Sequence, residues 1–291
     1  MTEGRRGPEL RDMTEDDLAA GLRLSRACGW NQTLDDWRQL LALGAGLFRV
    51  GVESERVVAT AGAVCYGDAL AWICMVLVDP AERGRGVGTA IFDEVLSRCQ
   101  AQVRAGRLKT VGLDATPDGR RVYVKRGFVD GPALVRLRVE PGGASSAARS
   151  VDRTAEQDLT PILALDREVF GADRAPLLRR ALAAAPELAW VARAGGRVSG
   201  YCFGRHGDRS DQTGPVVAED VAVAVDLVRA CLSAPRERSL VVDARVEPAW
   251  LGALRELGFR EERPLTRMYL RDAKPPAPML LQRAVFGPEF G

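Results

Sequence analysis

Histidine is almost missing from this chain of 291 residues: His206 is the only one. A Ser-His-Asp triad, a Cys-His pair or a multi-histidine metal centre would each have to run through that one side chain. Its setting, Gly204-Arg205-His206-Gly207-Asp208, reads as a solvated loop. The six cysteines (28, 65, 74, 99, 202 and 231) form no C-x-x-C and stand mostly in apolar positions. They read as reduced core residues, with neither a disulfide frame nor a metal site expected. Lysine is scarce too, at Lys109, Lys125 and Lys274 only, so arginine carries nearly all the positive charge. With 41 basic and 39 acidic residues the net charge is +2, and no clustered basic face marks a nucleic-acid partner. No apolar run approaches the roughly 20 residues that cross a membrane, and the opening MTEGRRGPELRDMTEDD has no apolar signal core. The expected location is cytoplasmic, with neither nucleic acid nor membrane as partner; nothing in the sequence sets the oligomeric state.

What is present centres on residues 70–99. Ala71-Trp72-Ile73-Cys74-Met75-Val76-Leu77-Val78 is a continuous apolar run, the pattern of a strand buried on both faces. Asp79-Pro80 ends it, because proline has no N–H to give a central strand. Arg83-Gly84-Arg85-Gly86-Val87-Gly88 follows, and then Val87, Ile91, Val95 and Cys99 repeat every four residues as one face of a helix. A helix start carries unpaired N–H groups and partial positive charge. Glycines beside it let a phosphate approach closely. Neither G-x-x-x-x-G-K-[ST] nor G-x-G-x-x-G is present, so the two commonest phosphate loops are excluded.

Val78-Asp79-Pro80 followed by Arg83, Gly86 and Gly88 resembles the cofactor segment of the GNAT N-acetyltransferase superfamily, [RQ]-x-x-G-x-[GA] after a strand and V-x-P. The resemblance implies acetyl-CoA as co-substrate. Its pyrophosphate would lie on the N–H groups of Gly84, Arg85, Gly86, Val87, Gly88 and Thr89, with Arg83 beside them. Its pantetheine arm would pair like an extra strand with Val76, Leu77 and Val78. Tyr123-Val124-Lys125-Arg126-Gly127-Phe128 resembles the superfamily's Y-x-x-x-G-F, whose tyrosine is the general acid for the leaving thiolate. Thr116 stands where the superfamily commonly has an asparagine on the cofactor. The turn Trp30-Asn31-Gln32 corresponds to a loop that overhangs the acceptor in this superfamily; read by itself, it is equally a packed turn. The run from Leu70 to Val78 has no carboxylate to serve as base, which leaves Asp114, a water chain or a second-half carboxylate.

The second half repeats the first. Glu140 to Ser150, with a proline and two glycines at its start, reads as a linker. A strand ending in Asp, a helix and a Gly-Phe corner pass through Asp114, Gly127 and Phe128, then again through Asp243, Gly258 and Phe259. The second copy has no R-x-x-G-x-G, carries Glu219-Asp220 before its helix, and has Leu254 where the first has Tyr123. The expected architecture is α/β (α+β): tandem domains over 1–140 and 151–291, joined by 141–150. Each is a mixed, mostly antiparallel sheet with flanking helices, the second without a cofactor motif. The expected activity is acetyl transfer to a small amine-bearing metabolite. The alternatives are an acyl-CoA-binding sensor and a protein-lysine acetyltransferase.

Overall fold

The computed structural model describes residues 7–44, 46–142, 150–234, 237–271, 275–277 and 280–291. The chain divides into two compact units, 1–112 and 113–291. The division falls inside a strand, whereas the sequence repeat places its boundary at 141–150, and residues 143–149 of that linker lie outside the described residues.

The first unit holds β1 (Glu9–Asp12), α1 (Leu18–Ala27), α2 (Leu34–Leu43), β2 (Arg49–Glu53), β3 (Arg56–Tyr66), β4 (Leu70–Val78), α3 (Val87–Arg104) and the start of β5 (Thr110–Ala115). Its sheet runs antiparallel from β1 to β4, and β5 lies parallel to β4. The caps follow the sequence. The Thr33 hydroxyl accepts from the Asp36 N–H at 3.1 Å while the Asp36 carboxylate accepts from the Thr33 N–H at 2.7 Å, satisfying two orphan donors at once. Trp37 is fully buried between α1 and the sheet, its indole donating to Ser25 Oγ at 3.1 Å. At Gly21 an added Cβ would sit only 3.0 Å from that ring, so glycine admits it.

The second unit holds the end of β5, α4 (Pro117–Val124), β6 (Phe128–Val139), β7 (Val151–Arg153), α5 (Leu159–Phe170), α6 (Ala175–Ala184), β8 (Trp190–Ala194), β9 (Arg197–His206), β10 (Asp211–Ala218), α7 (Val221–Ser233), β11 (Leu240–Arg245), α8 (Pro248–Glu256), β12 (Arg260–Leu270) and β13 (Gln282–Val285). Strands lie in the order β12-β6-β11-β13-β10-β9-β8-β7. β6 closes the first repeat in sequence, yet it pairs antiparallel with β11 and β12 of the second. Trp250, Leu254, Leu227, Cys231, Phe259 and Val242 pack into the apolar core of this unit. The fold class is the expected one: a mostly antiparallel twisted sheet flanked by helices.

β6 is continuous across Asp130-Gly131-Pro132, although a Gly-Pro pair favours a turn. His206 ends β9 instead of lying in a loop, with Nδ1 2.9 Å from Asp211 Oδ1 and Nε2 3.0 Å from Glu187 Oε1. The Asp158 carboxylate closes the short turn Glu156–Asp158 that leads into α5, accepting from the Ala155 N–H at 2.9 Å.

Candidate active site

β4 is interrupted where the resemblance places the cofactor arm. The register runs Thr60↔Leu77 and then Gly62↔Cys74, so Met75 and Val76 together face Ala61 in a β-bulge. Met75 takes φ 52°, a left-handed conformation that costs a non-glycine residue about 1–2 kcal/mol. The Thr60 hydroxyl holds the Met75 carbonyl at 2.8 Å. The parallel ladder to β5 ends at Trp72↔Gly112. Among the described residues, Val76, Leu77 and Val78 therefore present a strand edge with no strand on it.

Asp79 turns the chain out of β4. Its carboxylate accepts from the Ala81 N–H at 3.1 Å and receives Arg23 at 3.0 Å and Arg56 at 2.5 Å. Burial works against its charge, but the Ala81 N–H and the two guanidinium groups outweigh it and hold the carboxyl below its usual range. Gly84 and Gly86 take φ of 78° and 80° with open space where a Cβ would stand; here conformation, not crowding, requires glycine. The Ala90 N–H is the first to enter the α3 ladder, donating to Gly86 O at 3.0 Å. Those of Val87, Gly88 and Thr89 leave the helix end unclaimed by it. Arg83 is exposed, with Nη2 3.2 Å from Cys28 Sγ. Arg85 is bound by Glu53 at 2.9 Å and also by Glu82, so its charge is largely answered.

In the turn after α1, Trp30 is half-buried while Asn31 and Gln32 are buried. Gln32 is 4 % exposed and its Oε1 has no hydrogen-bond partner, an unspent acceptor in a place where one costs about 1–3 kcal/mol.

On the second unit, Thr116 caps α4, accepting from the Gly119 N–H at 3.2 Å. Tyr123 lies back over that first turn: a Cβ on Gly119 would meet its Cε2 at 2.9 Å. Its ring is 6.2 Å from that of Phe128. Burial pushes the phenol above its ordinary 10.0. Asp114 is clamped by Arg267, Oδ1 to Nε at 2.9 Å and Oδ2 to Nη2 at 2.8 Å, with both side chains buried. Burial raises this carboxyl while Arg267 opposes the rise. A carboxylate held at both oxygens is a poor proton acceptor for an amine. Its repeat counterpart Asp243 is held likewise by Arg136, at 2.8 and 2.6 Å. Sequence reasoning finds Asp114 but not its partner 153 residues away.

Residues 13–128 match the model of the acetyltransferase (GNAT) family, and residues 162–282 match that of an acetyltransferase (GNAT) domain. The chain belongs to the GNAT family, as two copies in tandem. Solved GNAT structures share the fold. A proposed acetyltransferase from Pyrococcus horikoshii is 20% identical with a TM-score of 0.78, covering 100% of this chain and 98% of its own. A GCN5-related N-acetyltransferase from Sphaerobacter thermophilus is 17% identical with a TM-score of 0.63, covering 93% and 96%. A tandem GNAT protein from the clavulanic acid biosynthesis pathway is 16% identical with a TM-score of 0.57, covering 90% and 97%. None of the curated proteins matches the sequence significantly.

The second GNAT repeat differs at the start of its helix and at the position of Tyr123. Asp220 caps α7 with its own carboxylate, accepting from the Val223 N–H at 2.8 Å, and so occupies the helix end that the first repeat leaves unclaimed. Leu254 is buried in the core where the first repeat has Tyr123. Among the described residues no group of three or more His, Cys, Asp or Glu side chains is placed to hold a metal ion, and no helix is long and apolar enough to cross a membrane.

Proposed function

We propose that this GNAT protein transfers an acetyl group from acetyl-CoA to the amine of a small metabolite in the cytoplasm, using its first repeat only. The observation that carries this reading is the open edge of β4 beyond the Met75 bulge, leading to the unclaimed N–H groups of Val87, Gly88 and Thr89. An arm with amide groups fits that edge, and a pyrophosphate fits those donors. Acetyl-CoA supplies the acetyl carbon and a thiolate leaving group.

The protein's own part is orientation and proton handling. Backbone N–H groups near Val76 or Leu77 face a developing oxyanion. An alkylamine of pKa about 10.4 is neutral in only about one part in 10³ at pH 7. With Asp114 occupied by Arg267 and β4 lacking carboxylates, the reading has the ammonium proton leave to water. Gln32 Oε1 supports an amine acceptor, because an unpaired buried carbonyl oxygen is suited to an N–H donor. Tyr123, assigned by its Y-x-x-x-G-F setting, returns a proton to the departing thiolate.

Tyr123→Phe is expected to lower kcat about 10²-fold with CoA binding nearly unchanged. The raised phenol stays protonated as the pH climbs to 9, so wild-type activity has no downturn from this group over pH 7–9. Undiminished turnover by the variant across that range removes Tyr123 from the mechanism.

The occupied Asp114 favours a second reading, an acyl-CoA sensor without turnover. Thiol release from acetyl-CoA, followed with a panel of small amines and a lysine peptide, separates the readings. Turnover with small amines is expected. CoA binding with no turnover on any amine supports the sensor, and preference for the peptide supports protein acetylation.

A further inference from the structure

The two repeats treat one slot in opposite ways. In the second, Gly214 and Pro215 of β10 face the single residue Phe203 of β9, and the parallel ladder from β10 to β11 ends at Thr213↔Val242. Beyond that point β13 runs antiparallel to both strands. It pairs Val216↔Ala284 and Val217↔Gln282 with β10, and Asp243↔Val285 and Ala244↔Ala284 with β11. The Ala218 N–H donates to Leu281 O at 3.0 Å. Val216–Ala218 correspond to Val76–Val78 when counted from the strand ends. There the Asp79 N–H donates to Val58 O at 2.8 Å and the Glu219 N–H to Ser199 O at 3.1 Å. The strand edge left open in the first repeat is taken by peptide in the second.

The slot is shaped for that peptide. A Cβ on Gly214 would lie 1.9 Å from Val285 O, so glycine is what admits β13. The Trp250 indole donates to Arg283 O at 3.0 Å and Arg245 to Leu280 O at 3.2 Å. Arg283 bonds Glu247 at 2.6 Å and the Glu219 carbonyl at 3.3 Å. Glu289, further along, meets Arg205 at 2.6 Å. The incoming chain thus brings a cation, met by the Glu247 carboxylate and the Glu219 carbonyl just beyond the ends of β11 and β10.

We propose that the slot between β10 and β11 is a peptide-binding site for an extended strand with a basic residue at the Arg283 position, filled by residues 280–291 and closed to acyl-CoA. This stands independently of the donor assigned to the first repeat, because its readout is backbone protection in the second.

Hydrogen exchange by mass spectrometry on the full chain tests it. Wild-type amides at Val216–Ala218 and Gln282–Val285 are expected to exchange as slowly as the core, with or without saturating CoA. Arg283→Gln, which removes a cation and little volume, is expected to speed both segments at least tenfold. Gly214→Val is expected to do the same by displacing Val285. A synthetic peptide of the Leu280–Gly291 sequence, added in excess to the Arg283→Gln protein, is expected to bring Val216–Ala218 back to within twofold of wild type. The same peptide with glutamate in place of that arginine is expected to give no protection. Unchanged exchange in both variants, no protection by the wild-type peptide, or protection of Val216–Ala218 by CoA overturns the proposal. If Gly214→Val does not fold, the Arg283→Gln arms still decide it.

Discussion

Gly86→Glu is expected to weaken CoA binding at least 10²-fold, seen by calorimetry, in a chain whose circular dichroism is unchanged. Gly86 is the residue before α3 and takes φ 80° with no atom within 4 Å of an added Cβ. The new side chain has room, and the strain of positive φ costs only about 1–2 kcal/mol, so folding survives. The carboxylate would lie beside the N–H groups proposed to hold the pyrophosphate. Two unit charges about 4 Å apart at an effective dielectric of about 20 interact by about 4 kcal/mol, more than the roughly 2.7 kcal/mol that a 10²-fold loss requires. Gly86→Ala carries the strain without the charge and is expected to lose far less affinity. Equal affinity in Gly86→Glu and wild type means that the phosphates bind elsewhere.

Arg267→Met is expected to destabilise the chain by about 3–5 kcal/mol, because it leaves Asp114 buried without its counter-charge. Urea denaturation measures this, and replacing Asp114 by leucine in the same chain is expected to recover most of the loss. The pH dependence has a definite sign. Burial already raises the Asp114 carboxyl, and Asp243 and Glu289 push the same way, against Arg267. Removing Arg267 raises it further above the value of about 3.9 in the unfolded chain. The folded variant then binds a proton that its unfolded form has released, so its stability falls as pH rises through that interval. The gap to wild type should be widest near pH 7 and narrow towards pH 4. A gap that widens on acidification means that Asp114 is not the group left exposed to the loss.

Much of the first repeat is legible in its residues. The apolar run of β4, the stop at Asp79-Pro80 and the capping pairs Thr14/Asp17 and Thr33/Asp36 are local signals, and the structure has them in place. The Met75 bulge is not legible, since methionine carries no preference for positive φ; the register with β3 imposes it. The clamp on Asp114 left a trace that depends on comparing the copies. Gly127 to Arg136 and Gly258 to Arg267 are equally spaced, so the two arginines are repeat counterparts. β13 escapes because Gln282-Arg283-Ala284-Val285 is too short to show a period, and what makes it a strand is the slot that receives it. Thr154 stands one residue before the N-cap position, which Ala155 occupies, so its hydroxyl is buried without a partner.

The two clamps are reciprocal: the aspartate of each repeat is held by the arginine of the other, Asp114 by Arg267 and Asp243 by Arg136. That is the contact relation of a symmetric dimer, in which residue i meets j and j meets i, written here into one polypeptide. For the gene, the second repeat is thereby a passenger that cannot be put down. Any deletion that discards it strands a charged side chain in the interior of what remains.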